Sequence, residues 1–251
     1  MPNGLLNCQQ HHADEIAVQI PTEERLIVAL DVPSADEARA LVDALGDTVH
    51  FYKIGLELAM SGEYFQLLDW LLERDKRVFA DLKFYDIPAT VAAAVRQIAR
   101  SGASFLTVHG ERAVTEAAAA EKGDRLRVLA VTVLTSVEQA DLASVGIEMD
   151  VETLARRRAK QAIAAGCDGV IASGLEARRL REDLGSDVLI VTPGIRPADS
   201  SGGDDQRRIV TPTQAFANGA DHIVVGRPIR ASTSPREAAR RIQTEIAGFF
   251  G

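Results

Sequence analysis

The sequence predicts a single (β/α)8 TIM barrel, and three observations carry that prediction. A chain of 251 residues suits one large domain. From Leu26 onward, eight short β-rich runs alternate with longer amphipathic stretches, and no break in composition or linker separates them. Most of the runs are continuously apolar until their last residues, as expected of parallel strands covered on both faces. A doubly wound open sheet would use the same units, but eight evenly spaced ones favour closure.

In chain order, the strands are expected at Leu26–Asp31, Val49–Ile54, Val78–Lys83, Phe105–His109, Val128–Val133, Gly169–Ala172, Val188–Thr192 and His222–Gly226. Ser34 with Glu37 forms a capping box ahead of a helix over Ala38–Leu45, which Gly46 stops. Pro88 opens the helix that contains Val91–Arg100, and Gly102 ends it. Ser61–Arg74, Ala113–Glu121, Val151–Ala165, Leu175–Leu184, Pro212–Asn218 and Pro235–Phe249 supply the remaining helices. Gly194–Arg208, rich in Gly, Ser and Asp, is the longest irregular piece, and loops of that length in compact domains often close over ligands.

Composition narrows the function. With 46% hydrophobic and 25% charged residues, the chain can bury a full core. A net charge of −8 argues against nonspecific binding to nucleic acid or an anionic membrane, while leaving a small anionic substrate open. Cys8 and Cys167 offer neither a disulfide framework nor a metal-binding CxxC pair, so a cytoplasmic setting is expected. Met1–Thr22 is polar, includes His11 and His12, and lacks the basic and apolar regions of a signal peptide. The reading is therefore a polar extension over residues 1–24 and a catalytic barrel over residues 25–251.

Barrels of this kind carry their chemistry at the C-terminal ends of the strands. Those ends supply Asp31, Lys53, and Asp81 with Lys83, each charge following or interrupting an apolar run. Asp81 and Lys83 are two apart and so project to the same side of a regular strand. Charges are rarely buried unpaired, so four on three adjacent strands are expected to meet as an alternating network. A lysine held between carboxylates keeps its proton and can deliver it to a developing carbanion. At the other end of the cleft, Gly226 and Arg227 follow strand 8, where many barrels bind phosphate. Gly226 permits close backbone approach and Arg227 a bidentate contact. His109 and Cys167 are read as structural residues, and the arginine clusters at 156–158 and 178–181 as solvated helix faces.

The stretch Asp-Leu-Lys-Phe-Tyr-Asp-Ile-Pro at 81–88, with Thr90 behind it, resembles the DxKxxDIPxT signature of the orotidine 5′-monophosphate decarboxylases. Other pieces match in order: Ala-Leu-Asp ending at Asp31, Tyr-Lys-Ile-Gly around Lys53, Val-Thr-Val-Leu-Thr-Ser at 131–136, Thr-Pro-Gly-Ile-Arg-Pro at 192–197, Asp-Gln-Arg-Arg at 205–208 and Val-Gly-Arg-Pro at 225–228. The resemblance implies a decarboxylase that takes orotidine 5′-monophosphate to UMP without metal or organic cofactor. It implies Lys83 as proton donor to C6, Asp81 beside the scissile carboxylate, and Lys53 and Asp31 completing the network near the ribose. It further implies that Asp86 and Thr90, with Ile87 and Pro88, enter the site of a second subunit in a homodimer. Thr135 is implied at the pyrimidine. Gln206, Gly226 and Arg227 are implied at the phosphate, with Arg196 at the base of a closing loop over Gly194–Arg208. Tyr85 and Ala89 depart from the His and Asn of the bacterial form of the signature.

Overall fold

The computed structural model describes residues 20–197 and 209–251. Its eight strands close into a parallel barrel in sequential order: β1 (Leu26–Ala29), β2 (Phe51–Gly55), β3 (Arg77–Phe84), β4 (Phe105–His109), β5 (Arg127–Val131), β6 (Gly169–Ile171), β7 (Leu189–Thr192) and β8 (His222–Val225), with β8 pairing back to β1. The helices are α1 (Ala35–Leu45), α2 (Leu56–Ala59), α3 (Tyr64–Leu72), α4 (Pro88–Ser101), α5 (Arg112–Glu121), α6 (Gln139–Ser144), α7 (Val151–Ala164), α8 (Ala177–Leu184), α9 (Pro212–Ala217), α10 (Arg227–Arg230) and α11 (Pro235–Phe250).

Two buried layers explain why the strand runs are apolar throughout. Ile27, Ala29, Phe51, Phe79, Phe105, Leu129, Val191 and Val224 fill the barrel interior. Their neighbours on the same strands, such as Val28, Tyr52, Val78, Ala80, Leu106 and Val128, face outward and pack under the helices. Alternation therefore persists, but both sides are dry. Phe105 anchors the interior, its ring centroid 4.9 Å from Phe51 and 5.9 Å from Phe79.

Local chemistry sets the element ends, and several differ from expectation. Ser34 caps α1 by accepting the Glu37 amide at 3.2 Å, so the helix begins at Ala35 and not at Ala38. Gly102, left-handed at φ 86°, ends α4. The helix expected over Ser61–Arg74 is shorter, α3 running from Tyr64 to Leu72, and Gly62 at φ 87° keeps Ser61–Glu63 out of it. Helix α8 starts at Ala177, two residues later than expected. Helices α2, α6 and α10 were not expected; α6 begins with a reciprocal capping box between Glu138 and Asp141. No described helix is long and apolar enough to cross a membrane.

Candidate active site

Strand β3 departs from regular pairing where the site forms. Ala80 pairs with Leu106 and Phe84 with Val108, so four residues of β3 span two of β4. Within that bulge Lys83 adopts φ 47°, a left-handed conformation that non-glycine residues avoid. The simple rule that residues two apart share a face does not hold here. Asp81 and Lys83 meet nonetheless, because the bulge turns the lysine back: its Nζ lies 2.7 Å from Asp81 Oδ1. Strain of this kind at a cluster of charges marks a functional position.

The four charges form one alternating chain. Asp31 sits in the turn just beyond β1, its Oδ1 2.8 Å from Lys53 Nζ. Lys53 on β2 also lies 3.3 Å from Asp81 Oδ2, and the Asp81–Lys83 pair completes the series. Exposure rises toward the two ends: Lys53 and Asp81 side chains are 11% and 12% exposed, Lys83 29% and Asp31 48%. Burial alone would push the Lys53 ammonium down, but Asp81 and Asp31 hold its pKa above the ordinary lysine range. Burial likewise pushes the Asp81 carboxyl up, and Lys53, Lys83 and hydrogen bonds from Lys83 and Thr107 outweigh it, leaving the group below the usual carboxylate range. Both stay ionised at neutral pH, and the end lysine faces open space.

That space is a cavity of about 640 Å³ at the C-terminal mouth of the barrel, large enough for a nucleotide. Asp31, Lys53, Asp81 and Lys83 line it together with Thr135, Arg196, Gly226 and Arg227, so eight residues singled out in the sequence converge. A Cβ on Gly226 would meet only ordinary contacts, 3.6 Å from Ala29 Cβ and 3.7 Å from Asp31 Oδ2. Chain packing therefore does not require glycine there, and its open side belongs to the cavity. Arg196 is fixed at its backbone, where its amide donates to Val210 O at 2.9 Å beside an Ile195–Val210 bridge. Gln206 and most of the expected closing loop lie outside the described residues.

Asp86, Ile87, Pro88 and Thr90 do not line this cavity. They are exposed, Ile87 to 66%, in the turn and first residues of α4, where Asp86 Oδ1 accepts the Ile87 amide at 2.6 Å. Tyr85 is also exposed, and its ring meets the half-buried His109 at a tilt of 51°, ring centroids 5.0 Å apart. Ser136 is exposed and outside the cavity lining. Cys167 is buried, as read from the sequence.

Three residues were not singled out. Gly55 was visible only as the end of its motif; a Cβ there would stand 3.2 Å from Lys53 Nζ, so glycine clears the space in which Lys53 meets Asp31. Arg230 lines the cavity one turn beyond Arg227, and its Nε is buried with no partner among the described residues. Thr107, fully buried on β4, bonds both Asp81 and the Lys83 amide. Strand parity could have found Thr107, because it lies two residues beyond the inward Phe105.

Known proteins resemble this chain in sequence and in fold. Residues 24–242 match the family described as orotidine 5′-phosphate decarboxylase / HUMPS. The orotidine 5′-phosphate decarboxylase of Methylococcus capsulatus is 55% identical over 250 residues, covering 100% of this chain and 99% of the relative. That of Stenotrophomonas maltophilia is 56% identical over 226 residues, covering 90% and 93%. Among solved structures, orotidine 5′-phosphate decarboxylase from Lactobacillus acidophilus superposes with a TM-score of 0.79 at 34% identity, over 91% of this chain and 100% of that one.

Proposed function

The chain belongs to the orotidine 5′-phosphate decarboxylase / HUMPS family, and from that premise we propose that it converts orotidine 5′-monophosphate to UMP and CO2, the last step of de novo pyrimidine nucleotide synthesis. The observation that carries this reading is the alternating chain Asp31–Lys53–Asp81–Lys83 at one end of a nucleotide-sized cavity.

The chemistry follows from the charges. The C6–carboxylate bond breaks with its electron pair left on C6, CO2 departs, and Lys83 Nζ passes a proton to C6. Asp81 beside the substrate carboxylate disfavours the bound ground state, an effect relieved as neutral CO2 leaves. The two ammonium groups, already oriented by carboxylates, stabilise the carbanion without reorganising. No metal or organic cofactor is required by these steps.

Around that centre, Asp31 and Lys53 hold the ribose and Thr135 meets the pyrimidine. The phosphate goes to the arginine-rich end, to Gly226, Arg227 and Arg230, with Gln206 and Arg196 from the closing loop. Supporting this assignment, three arginines line that end of the cavity, a match for a dianion. Binding energy from the remote phosphate then serves to order the loop and exclude water from the ring. Asp86 and Thr90, with Ile87 and Pro88, complete the site of a second subunit in a homodimer. Their exposure outside their own cavity supports that assignment. The barrel domain over residues 25–251 works in the cytoplasm, with residues 1–24 as a polar extension.

The test is loss of orotidine monophosphate absorbance with purified, EDTA-treated protein. Turnover is expected; chelator inhibition rescued by Mg²⁺ contradicts the cofactor-free reading. Asp86→Ala and Lys83→Ala proteins, each inactive alone, are expected to regain partial activity when mixed. No recovery despite demonstrated subunit exchange overturns the shared site.

A further inference from the structure

Thr107 is buried completely, does not line the cavity, and yet touches two of the charged residues that do. Its Oγ1 lies 3.0 Å from the Lys83 backbone nitrogen and 2.8 Å from Asp81 Oδ1. The direction of both bonds is fixed by elementary chemistry. An amide N–H can only donate, so it occupies a lone pair of the hydroxyl oxygen, and the single hydroxyl proton goes to the carboxylate. We infer that Thr107 is a positioning residue, whose hydroxyl clamps the Asp81 carboxylate to the Lys83 backbone and so sets the geometry of the two charges nearest the reacting bond.

Two further observations support the clamp. It stands at the irregular stretch of β3, where the pairing with β4 skips from Ala80–Leu106 to Phe84–Val108 and Lys83 takes φ 47°. There the Lys83 amide bonds a side chain of β4 in place of a main-chain carbonyl, so a hydroxyl at position 107 is part of what the bulge needs. The second observation concerns stiffness. Of the described hydrogen-bonding and ionic partners of Asp81, Lys53 and Lys83 sit at the ends of long chains, whereas Thr107 is short, β-branched and held on a buried strand. Without it, the carboxylate can rotate between its two ammonium groups.

This inference rests on the decarboxylase reading, and its test separates the two. Thr107→Val keeps the shape and removes the hydroxyl, Thr107→Ser keeps the hydroxyl, and Thr107→Ala removes it without adding a methyl group to a tight site. A hydrogen bond to a charged group of ordinary strength corresponds to a fall in kcat of about ten- to a hundredfold for Val and Ala. Because Thr107 lies off the cavity, KM for orotidine monophosphate is expected to stay within about twofold. Serine is expected to restore most of kcat. Hydrogen exchange at the Lys83 amide is expected to quicken in Val and Ala and not in Ser, a readout that needs no turnover. Wild-type protein with no turnover would defeat the decarboxylase reading and leave the exchange measurement to judge the clamp. Wild-type kcat in a folded Val or Ala protein, Ser as impaired as Val, or unchanged Lys83 exchange overturns the clamp.

Discussion

Lys53→Met is the perturbation that asks most of the charge chain. The lysine stands between Asp31 at 2.8 Å and Asp81 at 3.3 Å, with its side chain 11% exposed, and methionine replaces its length without its charge. Removing one partner of a buried ion pair costs about 3–5 kcal/mol, because the remaining charge stays buried and uncompensated. Water reaches Asp31, whose side chain is 48% exposed, so the lower end, about 3 kcal/mol, applies here. For a domain of this size that is a fall in Tm of about 6–12 °C. The loss also acquires a pH dependence. In the wild type the folded Asp81 pKa lies below its ordinary 3.8, so its contribution is present above that value and lost only in stronger acid. With Lys53 gone, burial pushes the Asp81 carboxyl up against Lys83 alone, and proton uptake relieves the variant as pH falls. Denaturant unfolding at pH 8 and pH 5 is the assay, with a deficit larger at pH 8. Equal stability of variant and wild type at pH 8, or a deficit of one size at both pH values, refutes the reasoning.

His222 supplies a second pH test at the opposite end of the barrel. It is buried between Phe51 and Phe105 with Nδ1 3.0 Å from Glu24 O, and burial lowers its pKa from 6.5 to about 3. The neutral ring is favoured in the fold, so its stability is whole above pH 6.5 and lost toward pH 3, at about 1.4 kcal/mol per pH unit. His222→Asn is expected to flatten the unfolding free energy over that window; an unchanged slope contradicts the assignment. Gly169→Ala places a Cβ 2.3 Å from Leu189 O across the β6–β7 pair, and a loss of about 1–3 kcal/mol in chemical denaturation is expected. Arg230→Gln is expected to weaken inhibition by UMP about tenfold or more while leaving the weaker binding of uridine unchanged. Equal effects on both ligands would remove Arg230 from the phosphate end.

The barrel was legible because its signal is repeated: eight strand runs, buried on two faces, leave little room for another topology. Asp31, Lys53, Asp81 and Lys83 were legible because each follows or interrupts an apolar run at the face where such barrels do chemistry. What stayed hidden depends on backbone detail. The expected same-face placement of Asp81 and Lys83 is reached through a bulge with a left-handed lysine, which strand periodicity does not encode. Gly62 takes a left-handed dihedral angle that delays α3 to Tyr64, a backbone choice that residue pattern alone does not encode. Thr107 looks like one more strand residue until the bulge brings the Lys83 amide to it. Arg230 was passed over because spacing drew attention to Arg227, and only the short helix α10 brings both to one cavity.

The proton transfer from Lys83 is tested by the product formed from orotidine monophosphate in heavy water, read by proton NMR for wild type and Lys83→Ala. UMP carrying deuterium at C6 with one equivalent of CO2 is expected from the wild type, and no detectable UMP from a folded Lys83→Ala protein. A folded wild type that forms no UMP, or a Lys83→Ala protein that forms it at the wild-type rate, would contradict it.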